Sequence, residues 1–526
     1  MKNLLYCGDN LDVLRKYVDA ESVDLIYIDP PFNSKRDYNI FFDEKDSQTQ
    51  RIAFEDTWSY KNIQDSLAEL RTLQTHNLYT LLESYRIVAP LAFPYLVVMT
   101  LRLVELHRVL KRTGSFYLHC DSTMSHYLKT ICDAIFGEKN FRNEIIWKRT
   151  SSHNDSRKWA HIQDTILFYA GKGFTWNPIY LEHDPVYVKN FYRFSDNRGR
   201  YRLHEIIRTA SMGPRPNLAY EYKGYTPEWG WRMVREKVEA LDKDGRLEWS
   251  GTGRPYLKRY LHEQEGTPAS TIWLDIPPLS AAAAERLGYP TQKPKALLER
   301  IIQASSNEGD VVLDAFCGCG TTIDAAEGLH RRWIGIDISP VAISLMKRRM
   351  TETYKNQLSS FEILGVPKDE PSAIKLWQEN AFAFQDWWLM EYDVFSTTFG
   401  TKGPDKGIDG LGLFAERNSE PARIGFQVKG GKHISSKDID AFMGAMQKFQ
   451  CSMGVFMSIN NPTPPMMETV ASSDFINIGK KHYPRLQLIT LHDHFLNRRP
   501  KLPPVNLTFR SAQYAGKKLM QYTLGF

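Results

Sequence analysis

Residues 311–339 read VVLDAFCGCGTTIDAAEGLHRRWIGIDIS. An apolar run ends in Asp314, a turn carrying Gly318 and Gly320 follows, and helical periodicity begins in TTIDAAEGLH. RWIGIDIS then predicts a second strand closing on Asp337, 19 residues after Gly318. Glycines at a strand-to-helix turn let the backbone approach a ligand closely. An acid at the end of the next strand can accept both hydroxyls of a ribose. The combination describes a nucleoside-cofactor site on a parallel sheet. A nicotinamide dinucleotide fits poorly, because the third glycine of its fingerprint falls on Ile323. S-adenosylmethionine has no pyrophosphate to cradle, so two glycines and an acid suffice for it. The bland alternative is a tight turn with no ligand.

Upstream, VDLIYIDPPFN (23–33) is an apolar strand ending in Asp29-Pro30-Pro31-Phe32. Consecutive prolines fix φ and remove two N–H donors, so the turn presents carbonyl oxygens rigidly beside a carboxylate. Such a pair can accept both hydrogens of an exocyclic amino group, and Phe32 can stack on the base that carries it. Two acceptors favour an sp³-like nitrogen whose lone pair can attack a methyl group in line. A proline strand terminator with a chance acid is the competing reading.

The two motifs lie in a chain of 526 residues, a length for two to four domains. Hydrophobic residues at 42% and charged residues at 24% exclude wholesale disorder, collagen and coiled coil. Six scattered cysteines suggest a reducing compartment, and Cys317-x-Cys319 lacks the partners of a zinc site. The longest apolar run, Ile87 to Met99, has 13 residues with Pro90 and Pro94, too short to span a bilayer. With no signal-peptide pattern at the start, a cytoplasmic protein without membrane contact is expected. Strand-like and helical runs alternate through residues 1–171 and again through 286–356, implying a parallel sheet covered by helices. Between them, 172–285 is irregular and rich in Gly, Pro, Arg, Tyr and Trp; 357–376 reads as a linker, and 377–526 as a further domain.

DPPF with AFEDTW, followed by YPTQKPKALLERII, DAFCGCGTT and GIDIS, resembles the permuted beta class of amino-methylating DNA methyltransferases. The resemblance implies a Rossmann-like α/β methyltransferase in which the catalytic half precedes the cofactor half, with a target-recognition insert between. It further implies that Asp29, Pro30, Pro31 and Phe32 hold a flipped adenine. Asp314, Phe316, Gly318, Gly320 and Thr321 would line S-adenosylmethionine and Asp337 would take its ribose. Asp9, in CGDNLDVL, would lie near the cofactor's adenine amino group, and Thr291 and Lys293 beside its methionine end. The tetrad favours adenine N6 and leaves cytosine N4 open. No cysteine follows a proline, so the nucleophile of cytosine-C5 methylation is missing, and no G-x-x-x-x-G-K-[ST] points to an NTP-driven motor.

Between Ser195 and Tyr260 there are 14 Lys/Arg against 9 Asp/Glu, a local +5 out of +6 for the whole chain. Nine aromatics are interleaved with them: Tyr201, Tyr220, Tyr222, Tyr225, Trp229, Trp231, Trp249, Tyr256 and Tyr260. Basic side chains contact phosphates and aromatics can fill the gap left by an extruded base, so double-stranded DNA is the expected partner. A solvated insert with its own aromatic core is the alternative. RNA or a protein amide as substrate, and a homodimer, are left open.

In the tail, GTKGPDKGIDGLGLF precedes RIGFQVKGGKHISSKDIDAFMGAM and SMGVFMSIN. Gln427 and Lys429 alternate onto one face of a strand, with Asp409 on the preceding β-element. Carboxylate, amide oxygen and ammonium can together bind Mg²⁺ and orient a water against a phosphodiester. GIDG followed by FQVKGG resembles the Mrr-type restriction endonuclease domain of the PD-(D/E)xK group, over Phe382 to Leu496, with glutamine replacing the usual second acid. The resemblance makes Asp409 and Gln427 metal ligands and Lys429 the catalytic lysine, with Glu391 as a further candidate acid. A tail that only binds DNA or a partner is the rival reading, and a catalytically silent DNA-binding regulator is a third.

Overall fold

The computed structural model describes residues 2–31, 38–41, 50–54, 63–72, 76–151, 159–213, 215–280, 283, 285–287, 291–396, 407–417, 419–431 and 433–506. Two compact units emerge: Met1–Asn177 together with Thr271–Phe526, and Pro178–Ser270.

Nine strands form the main sheet of the larger unit: β1 (Asn3–Cys7), β2 (Val23–Ile28), β3 (Leu110–Cys120), β4 (Phe141–Lys148), β5 (Gln163–Ala170), β6 (Ile272–Trp273), β7 (Val311–Asp314), β8 (Arg332–Asp337) and β9 (Phe361–Leu364). Their order is β6-β4-β5-β3-β2-β7-β8-β1-β9. Every pairing from β3 to β9 is parallel, whereas β5 runs antiparallel to both β3 and β4. The central strands are buried on both faces, as their near-continuous apolar sequences require. Their cover includes α1 (Asn10–Tyr17), α2 (Phe93–Val109), α3 (Lys295–Ser305), α4 (Thr321–Gly328) and α5 (Pro340–Tyr354). The 13-residue apolar run is divided between a helix ending at Val88 and α2, and among the described residues no helix is long and apolar enough to cross a membrane.

The expected insert, 172–285, is narrower in the structure. Its C-terminal flank supplies β6, parallel to β4, and its N-terminal flank ends at Asn177, whose N–H donates to Ala304 at the end of α3 (2.7 Å). Nor is the smaller unit irregular. Leu247–Trp249, Pro255–Tyr260, Gly199–Glu205 and Phe194–Asp196 make a four-stranded antiparallel sheet in that order. The strands are short, and Arg and Tyr on both faces hide their two-residue period. Trp231, fully buried, centres its core with Ile206, Val238 and Leu247, and Tyr220 stacks on it at 5.4 Å. Of the nine aromatics proposed for DNA, only Trp229 is exposed, and the others are buried or half-buried. Several of the basic residues are also engaged within the unit: Arg198 with Asp244, Arg246 with Glu263, Arg254 with Glu205, Lys258 with Asp196, and Lys223 with Asp242. Arg215, Lys237 and Lys243 stand exposed.

The expected linker, 357–376, is ordered. Phe361–Leu364 is the edge strand β9, and Asp369 caps α6 (Glu370–Glu379) with a capping box. Its glycine and prolines mark turns rather than coil: Gly365 has φ 81°, and a Cβ there would overlap the carbonyl of Cys7. After α6 comes α7 (Ala381–Met390), which packs on α5. The tail sheet runs β10 (Phe395–Ser396), β11 (Gly410–Ala415), β12 (Ala422–Lys429), β13 (Met453–Ser458) and β14 (Leu486–Thr490), antiparallel as far as β12 and parallel beyond. Trp388, Phe426, Val455 and Met457 fill its core.

Candidate active sites

Because β1, β2, β7 and β8 are parallel, the residues at their carboxyl ends lie along one edge of the sheet, where open α/β folds bind ligands. Asp9, Asp29, Asp314 and Asp337 all lie there. The glycine turn is left-handed at both Gly318 (φ 49°) and Gly320 (φ 77°), and a Cβ on Gly320 would overlap Met346. Asp337 holds this turn: its Oδ2 accepts from Gly318 N and its Oδ1 from Ser339 N, both at 2.8 Å. Asp314 accepts from Phe316 N (3.0 Å) and from the Thr322 hydroxyl (2.5 Å). Burial pushes Asp314 up to about 7 and Asp337 up to about 6, despite these donors. Two acids kept so reluctant to ionise favour a ligand that brings hydroxyl or ammonium donors. Thr321, expected to face the cofactor, is buried with its hydroxyl accepting from Arg349 Nη1 (3.1 Å).

Asp29 is joined to Lys293 across 264 residues of chain, the ammonium donating to Oδ2. Lys293, expected beside the cofactor's methionine end, meets the DPPF turn at Asp29; Thr291 has φ 60°, and its carbonyl accepts from the same ammonium (3.4 Å). Asp29 Oδ1 is buried and has no hydrogen-bond partner among the described residues. Pro30 and Pro31 have no N–H to offer it. Phe32, the last residue of the tetrad, lies outside the described residues, as does most of AFEDTW.

Two residues that sequence reasoning missed anchor Asp9. Its Oδ1 caps α1, accepting from Leu11 N (2.8 Å), while Oδ2 accepts from Arg102 Nη2 (2.7 Å). Arg102 also donates to Asn10 Oδ1 (2.6 Å), and Asn10 donates to the carbonyl of Ala315 (2.8 Å), tying the Asp9 loop to the glycine turn. The available signal was an arginine inside the apolar sequence FPYLVVMTLRLVELHRV of α2.

In the tail, Gly410 pairs with Phe426, which sets Asp409 opposite Gln427 on one face, with Lys429 two residues further along it. Asp409 is 4% exposed and its Oδ2 accepts from Val428 N (2.7 Å). Gln427 is 3% exposed, and its Oε1 has no hydrogen-bond partner among the described residues. A buried amide oxygen without a donor, beside a carboxylate, suits a hard cation. No cluster of three or more His, Cys, Asp or Glu able to hold a metal is found among the described residues. Glu391, the further candidate acid, pairs with Arg499 at 4.0 Å and, with Lys347 and Arg348 of α5, lines a cavity of about 770 Å³ whose lining includes none of Asp409, Gln427 and Lys429.

Residues 23–348 match the DNA methylase family, more than half of the chain, and residues 385–480 match the restriction endonuclease family of Mrr type. The chain belongs to the DNA methylases, of the restriction-modification kind, and carries an Mrr nuclease-like domain. The type II methyltransferase M.EcaI of Enterobacter cloacae is 29% identical over 355 residues, covering 66% of this chain and 69% of the relative. The Mod subunit of the type III restriction-modification enzyme StyLTI of Salmonella typhimurium is 30% identical over 348 residues, covering 62% and 50%. The DNA adenine methyltransferase YhdJ of Escherichia coli is 26% identical over 346 residues, covering 65% and 81%. The chain thus spans from half to four fifths of these relatives. The solved M1.HpyAVI–SAM complex aligns over 66% of this chain at 15% identity with a TM-score of 0.31.

Proposed function

We propose that the chain transfers a methyl group from S-adenosylmethionine to the N6 amino group of adenine in duplex DNA. The observation that carries this reading is Asp29, anchored through one carboxylate oxygen by Lys293 and left with the other buried and unpartnered among the described residues. An amino hydrogen of a flipped base would meet that oxygen, and the carbonyls of the proline turn offer a second acceptor. Flipping costs a few kcal/mol, which phosphate contacts offset. S-adenosylmethionine would supply an electrophilic methyl on a sulfonium sulfur. Asp9, Asp314 and Asp337, with the glycine turn, would hold it, matching its amino and hydroxyl donors. Asp29 orients the attacking nitrogen and stabilises positive charge as it develops there. Adenine is favoured by the DPPF tetrad and by a relative described as a DNA adenine methyltransferase.

For the tail, we infer Mg²⁺-dependent cleavage of DNA. Asp409 and Gln427 Oε1 would ligate the metal, which would polarise the phosphodiester, and Lys429 would position the attacking water. Plasmid DNA incubated with labelled S-adenosylmethionine, with and without Mg²⁺, tests both halves. D29A is expected to abolish label transfer, and K429A to abolish only Mg²⁺-dependent cleavage. Wild-type label transfer by D29A would refute the role of the tetrad. A wild type that never cuts methylated or unmethylated DNA would leave the tail as a docking module. Sequencing the modified base decides between adenine and cytosine.

A further inference from the structure

Below the tetrad lies a polar chain that the reaction as described does not use. Tyr27 Oη meets His119 Nδ1 at 2.8 Å, and His119 Nε2 meets Asp164 Oδ2 at 3.0 Å. All three side chains are buried, at 1%, 0% and 1% exposure, in the sheet that ends in Asp29. Tyr27 is the penultimate residue of β2, and Asp29 directly follows the strand. Ile28 pairs with Leu118, which puts His119 next to Asp29 in the β2–β3 register. Asp164 belongs to β5, opposite Trp147 of β4, and the Trp147 ring meets His119 edge-on at 5.9 Å. Burial pushes the Asp164 carboxyl up, but His119, Lys293 and Arg149 outweigh it and hold Asp164 below its ordinary value. Lys293 is thus shared electrostatically between this chain and Asp29. An ionised Asp164 can only accept, so His119 Nε2 carries a proton, and Nδ1 faces the Tyr27 hydroxyl.

Three buried polar groups cost desolvation that an apolar core of equal shape avoids. Packing alone therefore gives no reason for them. We propose that Tyr27, His119 and Asp164 are positioning residues that fix the end of β2, and with it the Asp29 carboxylate, for methyl transfer. The proposal rests on the methyltransferase reading of Asp29. Its mechanism is a side-chain tie across β2, β3 and β5 at the point where the strand gives way to the rigid proline turn. A displacement of Asp29 by about 1 Å would cost up to about a hundredfold in rate.

The test compares H119L and H119Q with wild type. Glutamine retains a donor for Asp164 and an acceptor for Tyr27, whereas leucine fills similar space with neither. H119L is expected to lose at least about tenfold in kcat, with KM for S-adenosylmethionine and affinity for DNA within about twofold of wild type. Its melting temperature should fall, because the Tyr27 hydroxyl and the Asp164 carboxylate stay buried and lose their partner, so rates are compared well below that temperature. H119Q should recover most of the rate. H119L turning over at the wild-type rate would overturn the proposal, as would equal loss in both variants accompanied by lower melting temperatures. A wild type that transfers no label fails the methyltransferase reading instead. Crystal structures of the three proteins then decide the tie, and an unmoved Asp29–Lys293 contact in H119L overturns it.

Discussion

Replacing Asp314 by Asn isolates what the buried acid at the end of β7 costs the protein. Asp314 is 3% exposed, and burial raises its carboxyl from 3.8 to about 7. That displacement corresponds to about 4 kcal/mol against ionisation in the fold. The folded-state value lies above the unfolded one, so the favourable contribution is complete below the unfolded value of 3.8 and is lost as pH rises through about 7. Asn can keep the local bonds, its oxygen accepting from Phe316 N and its amide donating to the Thr322 hydroxyl. Urea denaturation is therefore expected to show D314N and wild type equal near pH 4. By pH 8 the variant should lead by up to about 4 kcal/mol. Added S-adenosylmethionine should narrow the gap, because its donors favour the ionised acid and D314N lacks that charge. Affinity for the wild type should in turn rise with pH through about 7. Midpoints that differ by the same amount at every pH, or a variant weaker at pH 8, would refute the reasoning.

Other consequences are open to direct measurement. G320A must adopt φ 77° and push Met346 aside, so calorimetry should register weaker S-adenosylmethionine binding and a stability loss of about 2–4 kcal/mol. R102M removes the donor to Asp9 Oδ2 and to Asn10, at about 2 kcal/mol; steady-state kinetics should show KM for S-adenosylmethionine rising more than kcat falls. A Cβ on Gly430 would overlap the ring of Trp377 from α6, so G430A should impair Mg²⁺-dependent cleavage in a plasmid assay while label transfer stays within about twofold.

β2, β7 and β8 were legible because each is an apolar run that ends in or runs directly into an aspartate. VVLD and RWIGID carry both the burial signal and the site, and the helical periods after them needed no tertiary help. The smaller unit was not legible in the same way. Its strands of three to seven residues carry Arg and Tyr on both faces, so composition pointed to a DNA surface where Trp231 and its neighbours build a core. Residues 357–376 looked like a tether because Gly365 and Pro367 break local periodicity, yet Phe361–Leu364 closes the edge of the sheet beside β1. Strand pairing is non-local, and a four-residue strand has too few side chains to announce its partner.

Motif identity and order sufficed for the class of chemistry: DPPF, the glycine turn with Asp337, and GIDG with FQVKGG each carry their meaning in consecutive residues. Proximity was decided only in three dimensions. Lys293 meets Asp29 across 264 residues, Arg102 reaches Asp9, and His119 links β2 to β5. No sequence window contains those pairs. They exist because parallel strands bring their carboxyl ends to one edge of the sheet, and because buried polar groups must find partners wherever the fold supplies them.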